Sequence, residues 1–328
     1  MKRRDFIAGL GSAAAWPLAA RAQQVRMLPI VGLVSIGARP NDPANLSPFL
    51  EQMHELGYVD RRNIIFDRRF AAGDDGLING FVVDLVRRPV DVIVATGPRE
   101  VTAAKQATSS IPIVTFLTPD PIGMGFAQTL ARPGGNVTGL TTMDEDIYGK
   151  RTELLKQAVP NLRKVNALIS GRHPIYQLGS PWARNFEMAV RALGVELEIV
   201  EADESNFDNT LAALGARAAQ GLVVTADGVY VAHSKQLAEA AIKHRLPGIF
   251  AYREQVQAGG LLAYTATVAD LSRRAASFVN RILKGEKPAD LPIEQPTKFE
   301  LTINRKTAKS LGIEIPPTLL ALADEVIE

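Results

Sequence analysis

PVDVIVATGPREVTAAKQATSSIPIVTFLTPD, residues 89–120, decides the fold. DVIVAT (Asp91–Thr96) is an unbroken apolar run, the mark of a parallel strand covered on both faces. Glu100–Thr108 reads as a helix, and Ile113–Leu117 as a second buried strand. Working outward from this unit, Pro29–Ser35 is a strand. Pro48–Leu56 is a helix with Phe49, Leu50, Met53 and Leu56 on one face, and Gly57 stops it. Asn63–Phe70 is a strand and Leu77–Arg87 a helix. On the other side, a helix is predicted around Gly125–Leu130, followed by a strand at Asn136–Thr142.

The pattern then restarts. Helices at Ile147–Val159, Trp182–Leu193, Phe207–Ala219 and Ser234–His244 alternate with strands at Val165–Ser170, Val195–Ala202, Leu222–Thr225 and Gly248–Ala251. Two successive runs of about four βα units predict two similar open parallel sheets. A third segment adds a strand at Leu261–Tyr264, a long helix at Val268–Leu283, a proline-rich connector at Gly285–Pro292, a strand at Phe299–Ile303 and a short helix at Thr307–Leu311. The simplest role for it is to return elements to each sheet. A chain of 328 residues, 46% hydrophobic and 22% charged, is long enough for two domains with their own cores.

The first residues read as an address. Lys2, Arg3, Arg4 and Arg21 against Asp5 give residues 1–22 a net charge of +3, more than the +2 of the whole chain. An uncharged stretch, Phe6–Ala20, follows the basic start, and Ala20-Arg21-Ala22 offers the small residues a signal peptidase requires. Fifteen diluted apolar residues are short for a membrane span. RRDFI is similar to the twin-arginine export signal. Cleavage after Ala22 is expected, leaving a soluble, exported chain. An uncleaved anchor is the alternative.

Chemistry-bearing motifs are few. With no cysteine, there is no disulfide and no thiolate nucleophile. His54, His173, His233 and His244 show no zinc spacing and read as scattered surface or loop residues. GxxxxGK[ST] and GxSxG do not occur. Neither a metal nor a cofactor is expected, and no basic cluster marks a nucleic-acid footprint.

In open parallel sheets, ligands sit beyond the carboxyl ends of strands, where following helices present free N–H groups. The candidate list follows from the strand ends. In the first unit it is Ser35, Thr96, Gly97 and Thr118. In the second it is Ser170 and Asp227, with Thr141, Thr142, Tyr252 and Tyr264 near the junctions. Ser35, Thr96 and Thr118 could donate to a ligand carboxylate, and each is equally an N-cap by type. Asp227 could hold an ammonium or cap the next helix. Tyr252 and Tyr264 could wall a ligand or pack at a hinge. Arg253-Glu254 reads as a solvated pair, and Arg39 as an exposed loop residue.

ARPGGNVTGLTT (131–142), preceded by DPIGMGF (120–126), resembles the ABC-transporter substrate-binding family typified by tryptophan/tyrosine-type binding proteins. So does ILKGEKPADLPIEQPTKFELTINRKTAKSLGIEIPPTLLALADEVIE (282–328). The resemblance runs from about Val25 to Glu328. It implies a type I periplasmic-binding fold: two doubly wound lobes, three crossing strands, and a ligand in the cleft. Crossings are expected near Thr141–Thr142, Ala251–Gln257 and Leu291–Pro296. Lobe one is then 26–141 plus 258–290, and lobe two 142–257 plus 291–328. The family tail often has Tyr-Gly after its late strand and a tyrosine early in the next helix. Here Thr265 follows Tyr264, and Ser272 stands at the later position.

The resemblance implies a monomeric periplasmic receptor. It closes on an amino acid, aromatic ones included, or a related carboxylate, and delivers it to an inner-membrane ABC permease. A periplasmic α/β enzyme needs a converging nucleophile, base and orienter, which four scattered histidines and no cysteine do not offer. A ligand-sensing subunit of a membrane signalling system shares the fold. A cytosolic repressor is disfavoured by the export signal and the lack of a leading helix-turn-helix.

Overall fold

The computed structural model describes residues 28–37, 46–88, 90–142, 144–173 and 175–328, without the side chains of 144–146. The export-signal segment and Arg39 lie outside the described residues.

The first sheet is built from β1 (Ile30–Ser35), β2 (Ile65–Phe70), β3 (Val92–Ala95), β4 (Ile113–Thr118) and β5 (Val137–Thr141), in the order β2-β1-β3-β4-β5. Every pairing is parallel. The helices between them are α1 (Ser47–Glu55), α2 (Asp75–Arg87) and α3 (Pro98–Ala107). β3 is buried along its length, because helices cover both sheet faces and leave no position for a polar side chain. β2 carries IFDRRF without a single buried residue, as suits an edge strand. Gly57 ends α1 in a left-handed conformation, φ +91°.

The second sheet contains β6 (Lys164–Ile169), β7 (Glu196–Glu201), β8 (Leu222–Val224), β9 (Gly248–Phe250), β10 (Leu262–Ala266), β11 (Phe299–Asn304) and β12 (Glu325–Ile327), in the order β12-β11-β10-β9-β8-β6-β7. β10 and β11 pair antiparallel and β12 lies parallel to β11; the other pairings are parallel. Its helices are α4 (Asp144–Ala158), α5 (Pro181–Ala192), α6 (Phe207–Ala216), α7 (Gly228–Ala232), α8 (Ser234–Lys243) and α9 (Arg253–Gln257), with α11 (Arg305–Leu311) and α12 (Pro317–Ala321) in the tail. α10 (Val268–Leu283) instead returns to the first sheet. Its buried stripe of Leu271, Ala275, Phe278, Val279 and Ile282 joins Phe49 and Met53 of α1 in one core cluster.

The α/β class with two doubly wound sheets is as the sequence reads, but three expectations need correction. The second crossing is not at Ala251–Gln257. That stretch is α9, and the following strand β10 pairs with β9 inside the second sheet. The chain crosses between β10 and α10, so 258–266 belong to lobe two. At the third crossing, Leu291 packs in the first core and Glu294 bridges Leu140 of β5, so 291–294 stay with lobe one. Finally, Gly125–Leu130 forms no helix. Gly125 is left-handed, φ +68°, and the N–H groups of Phe126 and Ala127 both turn back to the Pro121 carbonyl. The elements α7, α12 and β12 were not predicted. Among the described residues, no helix is long and apolar enough to cross a membrane.

Candidate ligand-binding cleft

The carboxyl ends of strands from both sheets meet at one cavity of about 40 Å³. From lobe one come Ser35, Ile36 and Gly37 after β1, Thr96 and Gly97 after β3, and Leu117 of β4. From lobe two come His173 after β6, Ala226 and Gly228 after β8, and Tyr252 after β9. The lobes touch here glycine to glycine. A Cβ on Gly37 would stand 3.3 Å from the Gly228 Cα, and one on Gly228 would collide with the Ile36 side chain.

Arg99, on the first turn of α3, ties the lobes together. One terminal nitrogen donates to both carboxylate oxygens of Asp75, at 2.7 and 2.8 Å. The other crosses to lobe two and donates to Asp227 Oδ2 at 2.7 Å and to Ser170 Oγ at 3.2 Å. The side chains of Arg99 and Asp227 are 9% and 0% exposed. Arg172 of lobe two adds a second link, 3.4 Å from Asp75.

Next to Arg99, Glu100 is buried. Its Oε1 accepts the Ile36 N–H and the Thr96 hydroxyl, both at 2.8 Å. Burial raises the Glu100 pKa, outweighing those donors and the charge of Arg99. Burial also lifts Asp227 to about 6, against Arg99 and the Val229 N–H, with Asp75 and Glu100 adding repulsion. His173 is driven well below its usual value by burial and then by Arg99. Its ring stacks on Tyr176 with centroids 3.9 Å apart, and Nδ1 accepts from the Ile175 and Tyr176 amides. His173 is thus one of the loop histidines the sequence suggested, but it is buried at the cavity rather than exposed at the surface.

Of the residues predicted from strand ends, Ser35, Thr96, Gly97 and Tyr252 line the cavity. Ser170 and Asp227 reach it through Arg99. Asp227 caps α7, with Oδ1 accepting the Val229 N–H at 2.8 Å, while Oδ2 accepts from Arg99 of the facing lobe, a cation of the protein rather than of a ligand. The other four do not line it. The Thr118 hydroxyl lies 2.7 Å from that of Thr115, inside the sheet. Thr141 donates to the Pro119 carbonyl, and Thr142 lies buried at the first crossing. The Tyr264 ring stacks on Phe299 of β11. Arg99, Glu100 and His173 were missed. The available signal was a charged pair directly after the Thr96-Gly97-Pro98 strand end, where a helix begins facing the cleft. Among the described residues, no group of three or more His, Asp or Glu side chains could hold a metal.

A second interlobe cavity of about 380 Å³ lies alongside, walled by Pro119 and Met124 from lobe one and by Ile175, Tyr176 and Trp182 from lobe two.

Residues 43–327 match the family model described as ABC transporter substrate binding protein. The chain belongs to the ABC transporter substrate-binding protein family. This is a family of ligand-binding proteins, not of enzymes. A tyrosine-binding protein of Clostridioides difficile (strain R20291) is 23% identical over 290 residues, covering 87% of this chain and 81% of that one. Among solved structures, an ABC domain from Streptococcus pneumonia in complex with L-Trp superposes with a TM-score of 0.81 at 23% identity, covering 92% of this chain and all of that one. The ligand-free, open structure of a substrate-binding protein with adhesive properties from Clostridium difficile gives 0.64 at 21% identity, covering 92% and 99%. The family's type I periplasmic-binding fold is the one described above.

Proposed function

We propose that this member of the family is the periplasmic solute receptor of an ABC importer. It captures an amino acid, aromatic ones included, or a related small carboxylate by closing its lobes, and passes it unaltered to an inner-membrane permease. The observation that carries this reading is the Arg99 clasp, which joins Asp75 of one lobe to Asp227 and Ser170 of the other across the strand-end cavity. Such contacts exist only when the lobes are together, so a ligand touching both sides shifts an open-to-closed equilibrium. The chain acts as a monomer, exported by its amino-terminal segment. The tyrosine-binding relative and the L-Trp complex support aromatic amino acids as the first solutes to try.

A thermal-shift screen of the amino acids and of aromatic carboxylic acids tests this. A specific solute at a hundred times its Kd stabilises by about 2.7 kcal/mol, a rise of roughly 5–10 °C in melting midpoint. A screen in which no solute moves the midpoint would remove amino-acid capture.

A further inference from the structure

We propose that Glu100 sets the specificity of the cleft by accepting a hydrogen bond from an amine of the captured solute, so that amine-bearing solutes are taken and their nitrogen-free acids are refused. The inference rests on the cleft being the solute site.

Glu100 is 1% exposed and lines the strand-end cavity. Its Oε1 is fully engaged by Ile36 and Thr96, whereas Oε2 has no hydrogen-bond partner. Oε2 lies beside Gly97, 3.3 Å from where a Cβ would stand, and Gly97 lines the same cavity. A buried carboxylate oxygen without a donor is unfavourable, and a charged donor relieves it best. An ammonium group brings three such donors in a small volume.

A carboxylate in the same place would fare badly. Two lobe-one donors suited to an anion, the Ile36 N–H and the Thr96 hydroxyl, already serve Glu100 Oε1. In effect, Glu100 occupies the position that a solute carboxylate would take at these strand ends. A second carboxylate there would meet Glu100 with Asp227 nearby, and like charges repel. Arg99 gives both terminal nitrogens to Asp75, Asp227 and Ser170. Only its Nε, buried and without a partner, is left for an acceptor on the solute. A zwitterionic amino acid can use Nε and Glu100 together, while an acid without nitrogen loses the Glu100 bond.

Size completes the description. A 40 Å³ cavity holds a head group rather than a ring. The 380 Å³ cavity beside it is of ring size. It begins at Thr102, Pro119 and Ile175, each within three residues of Arg99, Leu117 and His173 of the first cavity. An amine carried on an apolar body fits the pair.

The test uses matched trios on the full mature chain: L-tryptophan, tryptamine and indole-3-propionate; L-tyrosine, tyramine and 3-(4-hydroxyphenyl)propionate; L-leucine, isoamylamine and 4-methylpentanoate. Titration calorimetry should show each acid binding at least tenfold more weakly than the amine-bearing members of its trio. Glu100→Gln keeps an acceptor for Ile36 and Thr96 but presents an NH2 in place of Oε2. It should lower affinity for the amine-bearing solutes at least tenfold and narrow the gap to the acids. Acids that match their amine partners, or a folded Glu100→Gln that binds amines as the wild type does, would overturn the Glu100 assignment while leaving solute capture standing. If Glu100→Gln fails to fold, the wild-type comparison within trios decides alone. Wild type binding no member of any trio, nor any amino acid in the melting screen, would overturn both readings, and a different amino acid found there is tested with its own amine and acid.

Discussion

Asp227→Ala should weaken solute binding by about a hundredfold or more. The substitution leaves Arg99 with Asp75 and Ser170 as its remaining charged and polar partners, and leaves the Val229 N–H uncapped. Removing one member of a buried ion pair costs about 3–5 kcal/mol, because the other charge stays desolvated. Arg99 is desolvated by the meeting of the lobes, so the loss falls on the closed form. Taking the lower figure, since Asp75 remains, gives about two powers of ten. Arg253→Ala is the control: its partner Glu325 is 2.6 Å away, but Arg253 is 49% exposed, and such pairs are worth well under 1 kcal/mol. Wild-type affinity in Asp227→Ala, by calorimetry, would contradict the clasp. The same site gives a pH signature. A folded-state pKa of about 6 against an ordinary 3.8 means that the native form binds the proton more tightly than the unfolded one. Stability linked to Asp227 therefore rises as pH falls from 6 toward 4, is fully gained below 3.8, and is lost above 6. Denaturant melts of wild type against Asp227→Asn should differ across that window by at most about 3 kcal/mol.

Gly139→Ala should abolish stable folding. Gly139 sits in β5 with φ +126°, a conformation that L side chains rarely adopt. Its added Cβ would stand 2.8 Å from the Thr115 backbone nitrogen and closer still to the Thr115 carbonyl oxygen. Neither can move easily, because the β4–β5 register already shifts between Thr115 and Thr118. The Gly139 carbonyl also accepts the Glu294 N–H, so a displaced β5 disturbs the crossing between the lobes. A loss above about 4 kcal/mol is expected, in the range reserved for strain and overpacking at special backbone positions. Insoluble expression, or a melting midpoint lower by more than about 10 °C, would show it. Gly80→Ala on the exposed face of α2, with nothing within 4 Å, should instead be neutral or slightly stabilising.

Much of this was legible in the sequence, for identifiable reasons. Apolar runs as continuous as DVIVAT announce covered parallel strands, and the ends of those strands name where a ligand would sit. That logic found Ser35, Thr96, Gly97 and Tyr252 at the cavity. It also named Thr118 and Tyr264, which do not line that cavity, because which way a strand-end side chain turns depends on pairing. Tyr264 stacks on Phe299 only because β11 runs antiparallel beside β10. It missed Arg99 and Glu100 because charges on the first turn of a helix ordinarily face water; here Arg99 crosses to Asp227 and Ser170 of the facing lobe, and Glu100 turns back to Ile36 and Thr96. The second crossing was misplaced because α9 is five residues long, too short for a helical period to show. Gly139 stands within the motif that carries the family resemblance, yet its reason, the approach of the Thr115 backbone, is visible only in three dimensions.

The central claim is that two hinged lobes close around a solute, and a distance across the cleft tests it most directly. The chain has no cysteine, so Gly80→Cys on α2 and Lys235→Cys on α8 give two unique, exposed spin-label sites on opposite lobes. Double electron–electron resonance should show a longer-distance population without solute, converting to one short distance at saturation. Full conversion requires a solute that binds the closed form about ten-thousandfold better than the open one. A single distance that stays unchanged when a solute of measured affinity is bound would contradict the account.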